Sequence, residues 1–83
     1  MVAAMVYGKN PGSDHWEGMD RHEFAVFPRL GERIDFVIDG TAYSYEVVAV
    51  HHSAAPAANL AGDIYVVQLG TVKEVVRRLF EGA

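Results

Sequence analysis

The chain of 83 residues predicts a mainly β fold: a small five-stranded antiparallel barrel followed by a C-terminal α-helix. Three observations carry that expectation. The run "RIDFVID" alternates, with Ile34, Phe36 and Ile38 on one face and Arg33, Asp35, Val37 and Asp39 on the other, as a half-buried strand requires. Asp39-Gly40 then separates it from a second extended run, and this pair tolerates the positive φ angles of a two-residue type I′ turn. After Gly70 the period changes, and Val72, Val75, Val76, Leu79 and Phe80 build the apolar stripe of a helix.

In order along the chain, the apolar residues 2–7 read as a first strand, and the Gly-, Pro- and Asp-rich segment 8–21 as a long loop. "HEFAVF", residues 22–27, reads as a second strand, and Pro28 and Gly31 mark a change of direction. The third strand is "RIDFVID". The fourth is "TAYSYEVVAVH", with Tyr43, Tyr45, Val47 and Ala49 on one side; beyond Tyr45 its valines break the alternation, which points to a bulge or to cover on both faces. The loop "SAAPAANLAGD" leads to a fifth strand, "IYVVQLG", rich in β-branched and aromatic residues. The helix is expected over 71–82, with Thr71 and Glu74 as its capping pair, Gly82 past its end, and Glu74 four residues before Arg78. Tight turns between short strands favour a barrel, because closure removes exposed edges. The helix would plug one open end or cover the apolar face.

The whole chain, 1–83, is short enough to be one domain with a small core, so a partner subunit would add useful burial. It contains no cysteine, which excludes disulfides, thiolate ligands and a cysteine nucleophile. The opening "MVAAMVYGKN" is too short to span a membrane and has no basic leader, so the expectation is a cytoplasmic protein without a membrane partner. Eleven acidic residues against seven scattered basic ones, a formal charge of -4, argue against nucleic acid as a partner, whose affinity comes largely from neutralised phosphates.

The segment "FPRLGERIDFVIDGTAYSYEVVAVHH" followed by "IYVVQL" resembles a group of small bacterial proteins of unknown function, some of them carried as integron gene cassettes. The matching residues are Pro28, Arg29, Leu30, Gly31, Glu32, Asp39, Gly40, Tyr45, Val47, Val50 and His51, over about half the chain. The resemblance implies an SH3-like barrel and brings no activity with it. The long loop around Trp16 and the terminal helix depart from the pattern.

Trp16, the single tryptophan, stands among polar residues and either anchors a ligand or folds back over a mouth of the barrel. Tyr43 and Tyr45 either line a groove for an extended peptide or pack in the core with their hydroxyls reaching water. His51 and His52 are adjacent on a strand and so point to opposite faces; a metal site would need His15, His22 or Asp63 as well. No compact ligand spacing, nucleophile elbow or phosphate loop is present. The expectation is therefore a binding module without a cofactor, self-associating, that holds a peptide or small apolar ligand near Trp16, Tyr43, Tyr45 and His51. The alternative is a metal-dependent hydrolase or ligand-binding enzyme built on His15, His22, His51, His52 and Asp63.

Overall fold

The computed structural model describes residues 1–53 and 60–81, and the chain runs β1 (Val2–Lys9), β2 (Glu17–Phe24), β3 (Arg33–Ile38), β4 (Thr41–His52), β5 (Gly62–Thr71) and α1 (Val72–Glu81). Gly82 and most of the loop after Ser53 lie outside the described residues. The strands form one sheet in the order β2-β1-β5-β4-β3.

The sheet is mixed, which corrects the antiparallel expectation. β1 runs parallel to β5, with Tyr7 opposite Tyr65, while the other three ladders are antiparallel. Strands inside a parallel pair are covered on both faces and lose the clean alternation of a half-solvated strand. "VAAMVY" and "IYVV" show that loss. Ala3 and Ala4 are both buried although they face opposite ways, and Val6, Ile64 and Val66 are wholly enclosed.

The sheet curls into a half-barrel around Val6, Phe36, Tyr45, Val47, Ile64 and Val66, with Met19, Phe24, Phe27, Ile34, Tyr43 and Val50 packed at the margin. Three irregularities bend it, since an extra residue in one strand increases local twist. In β2 the pairing slips where Asp20 adopts φ 67°. In β4 it slips between Val47 and Ala49, leaving Val48 as the extra residue, which is the irregularity the broken valine pattern foretells. In β5 the slip falls at Leu69. Ala49 leaves the buried side at the β4 bulge, so it does not share the face of Tyr43, Tyr45 and Val47.

Half of the segment 8–21 is strand rather than loop. β1 extends to Lys9, and β2 begins at Glu17 and ends at Phe24, five residues earlier at its start than "HEFAVF" suggests. Gly18, Asp20 and the charges of this segment suit a solvent-facing edge, where pairing to β1 outweighs weak strand propensity. The Asp39-Gly40 turn matches its expectation, with φ 50° and 81°.

α1 neither plugs an end nor covers the inner face. It leaves β5 where Ser44 pairs with Gly70, and it meets Leu69 and Arg33 on the outer side of the sheet. Only Val75 is buried, and Leu79 and Phe80 are 63% and 80% exposed. Its start is capped as expected: the Glu74 N–H donates to Thr71 Oγ1 at 3.2 Å, and the Thr71 hydroxyl donates to Glu74 Oε1 at 2.9 Å. Replacing Thr71 with Ala should weaken the helix by about 1 kcal/mol. Amide exchange would then quicken along α1 and stay unchanged in β5. Among the described residues no helix is long and apolar enough to cross a membrane.

Candidate functional site

An open sheet has two edges, and curling brings them toward each other. Here β2 and β3 are the edge strands, and no backbone ladder joins them. Their side chains meet instead. The His22 ring lies edge-on to Phe36 at 5.0 Å between centroids, and Phe36 lies edge-on to Tyr45 at 5.5 Å. The bulge at Asp20 sets the first of these contacts, because it turns the chain so that the His22 ring nitrogen Nε2 reaches the Met19 carbonyl at 2.7 Å. Tyr45 is fixed from behind, its hydroxyl accepting from Gln68 Nε2 at 3.2 Å.

Along this seam lies a cleft of about 300 Å³ formed by Met19, Asp20, His22, Phe36, Val37 and Ile38. A second cleft of about 120 Å³ at the end of the half-barrel shares Met19 and Ile38 and adds Lys9, His15 and Glu17. The two form one groove with an apolar floor and a charged far end.

The two sides of the groove differ. β2 carries Glu17, Asp20, Arg21 and Glu23 and is bulged, all of which discourage another strand from pairing with it. β3 is straight. The two-residue turn makes Ile38 and Thr41 a hydrogen-bonded pair, and alternation makes Phe36–Tyr43 and Ile34–Tyr45 the next ones. Arg33, Asp35 and Val37 therefore turn their N–H and C=O groups away from β4. No proline, lysine or bulge guards that edge, and the Val37 side chain is 73% exposed.

Of the residues expected to bind a ligand, Tyr45 borders the smaller cleft of this groove, while Trp16, Tyr43 and His51 border neither cleft. Tyr45 is buried, and Tyr43 is half-buried on the same inner face opposite Phe36. Trp16 lies on the outer side, edge-on to Tyr65 at 5.4 Å, and Tyr65 stacks on Tyr7 at 5.3 Å. The Lys9 ammonium sits 4.9 Å from the Trp16 ring centre, which gives the indole an intramolecular cation on its face. Trp16 thus closes the β1–β2 loop onto the outer sheet rather than a mouth of the barrel. His51 is exposed at the far end of β4, opposite Asp63.

The five residues of the metal alternative are spread over three places. His15 is in the β1–β2 loop, its N–H donating to Ser13 Oγ, and His22 is in the seam. His51, His52 and Asp63 border a cleft of about 380 Å³ with Ser53, Leu60 and Gly62, where the His52 ring packs 4.5 Å from Phe27. Among the described residues no three His, Asp or Glu side chains converge to hold a metal ion.

Met19, Phe36, Val37 and Ile38 are not among the candidate residues that the sequence offers, and His22 is among them only as a metal ligand. One signal for this surface was present: Val37 is the lone apolar residue among the outward positions of "RIDFVID". The chain matches no family model, no curated protein and no solved structure.

Proposed function

We propose that this protein is a non-catalytic binding module that accepts an extended polypeptide strand along the free edge of β3, over the seam between β3 and β2. One observation carries this reading: β3 offers unprotected backbone groups at Arg33, Asp35 and Val37 directly beside an apolar cleft. Backbone pairing to an exposed edge supplies affinity in such an arrangement, and alternate side chains entering a groove supply specificity. A cleft of about 300 Å³ stands at the lower bound of small-molecule pockets, so the edge favours a peptide over a compact apolar ligand. Asp20 lines the cleft, and Asp35 and Asp39 lie on β3 and in the turn after it, which favours a neutral or basic segment over an acidic one.

The SH3-like barrel and the integron-cassette group belong to the same proposal. Five strands, the Asp39-Gly40 hairpin and the curled sheet support the comparison. The parallel β1–β5 ladder sets this sheet apart from an all-antiparallel barrel.

The test is a titration of the labelled protein with a panel of extended apolar peptides, followed by backbone amide shifts. The largest shifts are expected at Arg33, Asp35 and Val37, with Met19 and His22 following. Val37→Pro removes one outward N–H without touching the β3–β4 ladder, and it should weaken binding at least tenfold. Shifts confined to Trp16, Tyr65 and Tyr7 would move the site to the outer face and overturn the proposal.

A further inference from the structure

We infer that the strand accepted by this edge is β3 of a second copy, paired antiparallel about a two-fold axis through Phe36; the inference rests on the strand-accepting reading above. The segment 33–39 is close to self-complementary when paired with itself in reverse. Centred on Phe36, the pairs are Arg33 with Asp39 of the second copy, Ile34 with Ile38, Asp35 with Val37, and Phe36 with Phe36. The apolar residues then form one continuous row on the inner face, where Ile38 is 38% exposed in the single chain.

Backbone parity admits this register. The groups that turn away from β4 belong to Arg33, Asp35 and Val37, and an antiparallel hydrogen-bonded pair needs such groups on both residues. Asp35 opposite Val37 meets that requirement. Three other registers also meet it and are poorer; centring on Val37 sets Asp35 against Asp39 of the second copy and leaves Arg33 and Ile34 unpaired. Centring on Asp35 puts that carboxylate directly against its own copy, and like charges opposite one another destabilise a sheet. Centring on Ile34 pairs Arg33 with Asp35 and leaves Val37 and Ile38 uncovered. The register through Phe36 alone engages all of β3 and repeats the Arg33–Asp39 attraction twice by symmetry.

Charge and continuity support a second copy as the occupant. Neither Arg33 nor Asp39 has an ion-pair partner among the described residues. Leu79 of α1, 63% exposed, borders a shallow cleft with Arg33, so the contact can extend from the strand onto the helix. A two-stranded contact is small by itself, and that added apolar area brings it toward the size of a stable interface.

Sedimentation equilibrium of the full chain tests the inference, with hydrogen exchange read at single amides. The expected result is a dimer in which the Asp35 and Val37 amides are protected. Val37→Lys should give a folded monomer with those amides exposed. Arg33→Glu sets a carboxylate against Asp39 of the second copy and should weaken the dimer about tenfold. Adding Asp39→Asn, which keeps a residue suited to the type I′ turn, should recover part of that loss. A dimer that survives Val37→Lys but is broken by Phe80→Lys would place the contact on α1 and overturn the inference. A wild-type monomer at high micromolar concentration would overturn it too. If such a monomer still shifts its β3 amides with extended peptides, the strand-accepting site stands without self-pairing; if it ignores them, both fall.

Discussion

Replacing Ile64 with Ala is expected to remove about 2–5 kcal/mol of stability, the range found when a buried isoleucine is cut back and its cavity only partly collapses. Ile64 is fully enclosed near the start of β5, the middle strand of the sheet, between β1 and β4, and Val6, Val47 and Val66 are the other wholly buried large side chains of the same cluster. A domain of this length has about 4–12 kcal/mol in total, at roughly 0.05–0.15 kcal/mol per residue. The substitution therefore takes at least about a sixth of what holds the chain folded. Urea unfolding monitored by tyrosine and tryptophan fluorescence should show an earlier midpoint at nearly unchanged slope. A loss below about 1 kcal/mol would mean that Ile64 is not at the centre of packing.

The second large effect is expected at Gly62. It lies opposite His52 in the β4–β5 ladder and opposite Ala4 in the parallel ladder. A Cβ there would overlap the carbonyl of His51, and the obstruction is backbone, which has no rotamer to escape into. Gly62→Ala should cost about 2 kcal/mol or more, in the range of overpacking with backbone displacement, and should loosen the start of β5. Gly18 is the natural control, because a Cβ there meets nothing within 4 Å. Gly18→Ala should change stability by less than about 0.5 kcal/mol. Comparing the two thermal midpoints checks the claim, and equal midpoints would refute it.

Features that depend on neighbours in sequence were legible before any coordinates. The Asp39-Gly40 turn, the alternation of Ile34, Phe36 and Ile38, and the Thr71–Glu74 cap are each decided within a few residues. The extra residue at Val48 showed itself as a break in period. The parallel pairing of β1 with β5 was not legible, since nothing local tells a doubly covered strand in a mixed sheet from one inside a barrel. The start of β2 is not legible either, because Glu17, Gly18 and Asp20 have low strand propensity and are held by their partner strand.

The candidate site was hidden for the same reason. Which strands become edges follows from the order β2-β1-β5-β4-β3, so residues 19, 22 and 36–38 become neighbours only after the sheet is assembled. Trp16 and the tyrosines stand out in the sequence by residue type. In the structure they serve two separate ends, an outer aromatic stack and an inner core.

The ladder joining β1 to β5 also governs when this molecule can acquire its shape. Ala4 meets Gly62 and Val6 meets Ile64, so β1, made ahead of the other strands of this sheet, waits for β5 before its second side is matched. During translation β1 has only β2 to pair with, so the parallel side of β1 stays unmatched until β5 emerges from the ribosome. Closing so long a stretch of chain is entropically slow, and refolding from denaturant should fall in the millisecond-to-second regime rather than among microsecond folders.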